Sequence, residues 1–245
     1  MSRIKHYWIF EKSKHKIDET PKSYNYKMIR YRLFKSDIKN YGINIIEIDD
    51  YDKLDGILEK IRERVNSKNV LLSGSVEDSN PNSNQIFKFS EILAKTLIEK
   101  GFKIYTGFGK NIGSYIVKGA FAGCESIGKS FNDVVKLFPF PYNADFTLEE
   151  RKTQYTKLRL NMIAPTCSTI VICGEKQVHG EMHLADGVNE ELNLSINQKN
   201  LIIPIVSTGG IAAEYAKINN IKIDEFNDLR DINHVVEKIV NQLNK

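Results

Sequence analysis

Residues 168–191 read STIVICGEKQVHGEMHLADGVNEE, and the order of elements in this stretch decides the fold class. Thr169, Ile170, Val171, Ile172 and Cys173 form a short unbroken apolar run, the signature of a strand buried on both faces. A polar stretch follows, expected to be a mobile loop. A helix then opens at Gly187-Val188-Asn189-Glu190-Glu191. Strand, loop and helix in this order are the unit of an open α/β sheet. In such sheets ligands collect outside the carboxyl ends of the strands, where helix N-termini aim backbone N–H groups at anions. Lys176 stands just after the strand, and Glu191 is placed in the first helical turn. A cation and an acid beside a helix N-terminus suit a ligand that carries both phosphates and ribose hydroxyls.

The same alternation extends outward from this unit. Upstream come a strand at 70–75, a helix at 85–100, a strand at 103–105 with a glycine-rich turn after it, and a helix at 112–122. A strand near 134–138 and a helix at 148–163 complete that side. Downstream come a strand at 201–205, a short helix after Thr208-Gly209-Gly210 and a closing helix at 232–243. Strands alternating with helices predict an α/β fold, a Rossmann-like parallel sheet with right-handed crossovers and helices on both faces. Residues 1–66 read separately as β-α-β-α, with strands at 5–10 and 43–48 and helices at 23–40 and 51–65. Four elements bury too little surface for a robust domain, so this segment reads as the end of something larger. The expected domains are therefore 1–66 and 67–245.

Bulk properties narrow the class. The chain has 245 residues, 41% of them hydrophobic, which is enough for a sizeable core and argues against general disorder. No apolar run is long enough for a membrane span, and MSRIKHYWIF is too polar for a signal peptide. Three cysteines make no disulfide framework, so reduced core thiols in a cytoplasmic protein are expected. Residues 1–66 hold 15 Lys/Arg against 11 Asp/Glu and the remainder 20 against 20. The basic excess therefore lies outside the larger unit, which has no basic stripe with interleaved aromatics. Nucleic acid is not the expected partner.

Three strands end in glycine with small or hydroxyl residues: Ser73-Gly74-Ser75, Thr106-Gly107-Phe108-Gly109 and Thr208-Gly209-Gly210. One such turn is ordinary strand-to-helix chemistry. Three on one sheet edge point to a nucleotide-type ligand, because glycine lets backbone approach a phosphate and hydroxyls donate to its oxygens. The spacing Gly107-x-Gly109-x3-Gly113 is one residue longer than the dinucleotide fingerprint. Residues 123–130, GCESIGKS, match the spacing of a P-loop. They follow a helix rather than a strand, however, and no downstream strand ends in an aspartate to hold magnesium. Cys173, His179 and His183 lack a fourth zinc ligand, so no metal is expected. The helix at 148–163 is dense in Arg and Lys, ordinarily a solvated face. Arg159 sits late in it, shortly before the central strand, where its planar fork suits a phosphate or a purine face.

The runs VLLSGSVEDS, KGFKIYTGFGKNIGS, LFPFP, TKLRLNMIAPTCSTIVICGEK and ADGVNEELNLSINQKNLIIPIVSTGGIA resemble the SMF/DprA–LOG (SLOG) superfamily, in particular its sirtuin- and TIR-associated branch, over residues 67–220. KHYWIF and YGINIIEIDDYDKLDGIL resemble the end of the sirtuin-like domain that precedes the sensor in Thoeris antiphage effectors of that branch. The resemblance implies a regulatory domain that binds a cyclic ADP-ribose isomer, a signal made by a partner TIR protein, and thereby releases NAD depletion by a linked sirtuin-like domain. It implies a homo-oligomer, no catalytic residue in this chain and no cofactor beyond that ligand. It carries ligand contacts onto Arg159, Lys176 and Glu191, with the two cations neutralising the pyrophosphate and Glu191 accepting from ribose hydroxyls. Ser73, Gly74, Ser75, Gly107, Phe108, Gly109, Gly187, Thr208 and Gly209 complete the expected binding set. The wider superfamily includes phosphoribohydrolases, whose catalytic acid falls at Glu191. Their P-G-G is missing here, which argues for binding without turnover; nucleotide N-glycosidase activity, motivated by the position of Glu191, is the alternative.

Overall fold

The computed structural model describes residues 7–11, 21–40, 44–48, 54–141, 146–221 and 229–245. The chain divides into two compact units, Met1–Arg64 and Val65–Lys245. In the first, strands β1 (Tyr7–Glu11) and β2 (Asn44–Ile48) pair in parallel, with Tyr7 opposite Asn44, and helix α1 (Pro21–Asn40) lies between them in sequence. Helix α2 (Leu54–Asn66) follows. The strand starts expected at Lys5 and Ile43, and the first residues of the helix expected from Tyr51, lie outside the described residues.

The second unit carries the sheet. Strands β3 (Asn69–Ser75), β4 (Lys103–Thr106), β5 (Val135–Leu137), β6 (Ser168–Cys173) and β9 (Leu201–Ile205) stand in the order β5-β4-β3-β6-β9, and every pair is parallel. The chain moves outward from β3 to β4 and β5, then returns to the other side of β3 for β6 and β9. The topological switch point therefore lies between β3 and β6, where ligand crevices open in this architecture.

Alternation along each strand feeds two layers, because successive side chains point to opposite faces. Val70, Leu72, Ile104, Ile170, Ile172, Ile203 and Ile205 pack under α3 (Ser83–Glu99), α4 (Ile112–Ile127) and α9 (Ile232–Leu243). On the opposite face, Leu71 and Tyr105 meet Met162 and Ile163 of α6 (Leu148–Ile163). Val171 meets Val188 and Leu192 of α7 (Asp186–Asn197) and Ile211 and Ala212 of α8 (Gly210–Ile218). The expected Rossmann-like parallel sheet with helices on both faces is what forms. Among the described residues, no helix is long and apolar enough to cross a membrane.

Two local expectations are corrected, and a third reading holds. The stretch after β6 is not a mobile loop but an antiparallel hairpin, β7 (Glu175–Val178) and β8 (Glu181–Leu184), with Lys176 opposite His183. Its two-residue turn is His179-Gly180, with φ of 51° and 88°, the doubly positive geometry that matches strand twist. Residues 123–130, as their position after a helix indicated, are not a phosphate loop. They end α4, and Gly128 closes that helix in the left-handed region at φ 62°, the usual helix stop. A short helix, α5 (Phe131–Val134), precedes β5 and takes the first residue of the strand expected there.

Candidate functional site

A cleft of 490 Å³ opens over the carboxyl ends of β3 and β4. Its floor is Gly74, Ser75 and residues 106–110, and its walls are Phe140, Tyr155 and Arg159 on one side and Ala185, Gly187, Val188 and Glu191 on the other. Arg159 and Glu191 are only 8% and 6% exposed, so both ionisable groups sit inside the protein at the cleft wall.

Helix α6 delivers Arg159. It starts from a capping box in which Thr147 accepts from the Glu150 N–H and the Glu150 carboxylate accepts from the Thr147 N–H, satisfying donors that the helix leaves open. Tyr155 and Thr156 lie four and three residues before Arg159, on the same helical face. The Arg159 guanidinium stacks 4.6 Å from the centre of the Phe140 ring, which meets Tyr155 edge-on at 5.0 Å. Arg159 Nη1 donates to Glu190 Oε2 at 2.7 Å, and Thr156 donates to the other oxygen of Glu190. Arg159 Nε lies 3.5 Å from Glu191 Oε1 and is buried without a hydrogen-bond partner. The Glu191 carboxylate is therefore its ion-pair partner at the cleft wall.

Helix α7 delivers Glu191. The helix begins at Asp186, so Glu191 is in its second turn rather than its first. There it shares a buried stripe with Val188, Leu192 and Ser195 and turns back over the sheet. Ser73 donates to Glu191 Oε2 at 2.6 Å. Burial pushes the Glu191 carboxyl above the usual carboxylate range; the Ser73 hydroxyl and Arg159 pull against that without cancelling it. A side chain at position 187 would place its Cβ 2.7 Å from Arg159 Nη2, so the guanidinium packs directly against the start of α7.

The expected binding residues separate accordingly. Gly74, Ser75, Gly107, Phe108, Gly109, Arg159, Gly187 and Glu191 share the cleft. Ser73 stands behind it, holding Glu191. Lys176 is on the hairpin, not in the cleft lining, and forms an ion pair with Asp186 at the start of α7. Thr208 and Gly209 lie outside the cleft, because β9 is on the far side of β6. There the Thr208 hydroxyl accepts from the Cys173 N–H at 2.7 Å, and Gly210 packs so closely on β6 that a Cβ would meet Cys173 O at 2.7 Å. That glycine turn is packing chemistry. Thr208→Val is therefore expected to orphan a buried N–H and cost roughly 1–3 kcal/mol in urea unfolding, while leaving the affinity of the cleft for its ligand unchanged.

Phe140, Tyr155 and Lys110 also line the cleft but were not expected there. Tyr155 was legible as the i−4 neighbour of Arg159, and Phe140 belongs to the LFPFP run. Cys173 is buried with its thiol pushed far up, chiefly by burial and then by Glu175, so it is not a ready metal ligand. Among the described residues no group of three or more His, Cys, Asp or Glu is placed to hold a metal.

Glycine-floored backbone, a stacked arginine and a buried acid thus line a cleft beside the switch point of a parallel sheet, the place where this class of fold opens its ligand crevice. The family model for the Sir2- and TIR-associating SLOG family matches residues 53–245, and the chain belongs to that family. It is 34% identical over 209 residues to an NAD(+) hydrolase ThsA of Enterococcus faecium, covering 84% of this chain and 42% of that protein. It is 32% identical over 218 residues to the NAD(+) hydrolase ThsA of Bacillus cereus, covering 88% and 45%. The chain thus spans less than half the length of these relatives. A structural-genomics target solved by X-ray crystallography superposes with a TM-score of 0.47 at 16% identity, over 71% of this chain and 99% of that one.

Proposed function

We propose that the cleft binds a cyclic ADP-ribose isomer without consuming it, as the signal-sensing part of an antiphage NAD hydrolase. The observation that carries this reading is the Arg159–Glu191 pair at the cleft wall. An arginine suits a pyrophosphate, and a carboxylate suits ribose hydroxyls. The relatives' name, NAD(+) hydrolase, supplies the activity that such a sensor would control. On this reading the signal comes from a TIR-domain protein, residues 1–66 are the end of a sirtuin-like domain, and the chain works as a homo-oligomer. Allostery of this kind needs the ligand to prefer one of two states of the linked domain.

The test is calorimetric titration with cyclic ADP-ribose, its glyco-cyclic isomers, linear ADP-ribose, NAD and AMP. Saturable binding of a cyclic isomer, recovered intact after long incubation, is the expected result. Binding of none of the cyclic isomers would overturn the reading. A second reading is nucleotide N-glycosidase activity. One observation favours it: Glu191 is a buried carboxyl with a raised pKa, the condition that suits a general acid. Release of free base from a nucleoside monophosphate, abolished by Glu191→Gln, would establish it.

A further inference from the structure

Glu77 follows β3 by two residues and is 4% exposed, an unusual place for a carboxylate unless it is paired. Both its oxygens accept from Lys110 Nζ, at 3.0 and 2.7 Å, and Oε1 also accepts from the Gln177 backbone N–H at 2.8 Å. Lys110 closes the glycine loop on the cleft floor. Gln177 is the residue after Lys176 on the hairpin. One buried side chain therefore ties the loop after β4 to the hairpin after β6.

Neighbouring bonds run the same way. Asn111 Nδ2 donates to Val76 O at 3.0 Å, with Asn111 held at φ 61°. Ser75 Oγ donates to Glu175 O at 2.7 Å, and Asn80 Nδ2 donates to Glu175 Oε2 at 2.8 Å. The loop that leaves β3 thus grips both flanking segments, and Glu77 is the one charged group in that grip that touches both.

From this geometry we infer that Glu77 is a positioning residue of the cleft, its buried carboxylate fixing Lys110 on the cleft floor against the hairpin so that the Lys110 ammonium is held in place for an anionic ligand. The inference rests on the ligand reading above for the word ligand, but the clamp itself does not. Burial alone would push the Glu77 carboxyl up. Lys110 and the Gln177 N–H outweigh it and hold the group below the usual range, so the clamp is charged at neutral pH. Lys110 and Lys176 each already hold a carboxylate of the protein, Glu77 and Asp186. Of the two, Lys110 lines the cleft, and it meets it as an oriented donor rather than a loose charge.

Two variants separate the parts of the clamp. Glu77→Gln keeps an oxygen for the Gln177 N–H and removes the charge that holds Lys110. Glu77→Ala removes both. In the ligand-free full chain, hydrogen exchange of the Gln177 amide is expected to accelerate at least about tenfold in Glu77→Ala, the equivalent of roughly 1.4 kcal/mol, and to stay near the parent rate in Glu77→Gln. Titration with the cyclic ADP-ribose isomer that the parent binds is expected to weaken about tenfold or more in Glu77→Ala. In Glu77→Gln it is expected to weaken less, with a changed salt dependence, because Lys110 is no longer neutralised internally. Unchanged Gln177 exchange in Glu77→Ala would overturn the clamp. So would parent-like affinity in a folded Glu77→Ala protein. If the parent binds no isomer, the ligand reading fails on its own, and the exchange experiment still decides the clamp.

Discussion

Arg159→Ala is expected to lose roughly 3–5 kcal/mol of stability, the range for removing one partner of a buried ion pair, and about 100-fold or more in affinity for the ligand, the equivalent of roughly 3 kcal/mol. The stability loss follows from what is left behind. Arg159 bonds Glu190 at 2.7 Å and stands 3.5 Å from Glu191, so alanine leaves two adjacent carboxylates on α7 with no cation between them. The stability loss is also pH-dependent, with a definite sign. Arg159 favours the charged form of Glu191, whose folded pKa already lies above 4.5, and its removal raises that pKa further. An acid with a raised folded pKa contributes stability that is present below its unfolded pKa and lost as pH rises through the folded one. The deficit of the variant should therefore widen as pH rises from the parent's folded pKa to the variant's. Urea unfolding of parent and variant across about pH 5 to about pH 8 reads this directly. A deficit independent of pH would show that Arg159 does not govern the ionisation of Glu191. Arg159→Lys restores charge without the planar fork that stacks on Phe140. It is expected to recover part of the stability and little of the binding.

What the sequence made legible follows from how local each signal is. The run Thr169 to Cys173 needed only apolar continuity to read as a buried strand, and the observed α6 is Leu148–Ile163, as expected. Arg159, Glu191 and the first two glycine turns were legible as a cleft because β3 and β4 are neighbours and β3 borders the switch point with β6. The hairpin was hidden because its turn is His179-Gly180, where Asn-Gly or Asp-Gly is the readable form. Its four-residue strands are also largely exposed and polar. Thr208-Gly209 looked equivalent to the other glycine turns because a turn's composition does not say which strand it leaves. Only the position of β9 beyond β6 does. The partners of Glu77 were illegible for a different reason: Lys110 and Gln177 are 33 and 100 residues away, and no pattern in the sequence pairs them.

Gly119→Ala is expected to destabilise the protein by about 3 kcal/mol, at the upper end of what overpacking costs, while Lys129→Ala changes neither stability nor any nucleotide chemistry. Both follow from what residues 119–130 do in the fold. A Cβ on Gly119 would lie 2.0 Å from the carbonyl oxygen of Glu91, and one on Gly123 would lie 2.8 Å from that of Lys95. The first contact is with backbone of α3, which has no rotamer to yield, so α3 and α4 must move apart. Leu93, Leu97 and Ile98 of α3 and Ile116 and Ala120 of α4 are almost fully buried in the layer these helices build, so separation loosens packing well beyond one methyl group. The first glycine of the apparent P-loop is therefore one of a pair spaced four residues apart that lets two helices touch. The second, Gly128, stops α4, and Lys129 follows it beyond the helix, exposed. Urea unfolding midpoints for Gly119→Ala and Lys129→Ala, with a phosphate-release assay on ATP for parent and Lys129→Ala, read both halves. Parent-like stability in Gly119→Ala would mean that the helices are not in backbone contact. ATP hydrolysis that disappears with Lys129 would restore the phosphate loop that the fold excludes.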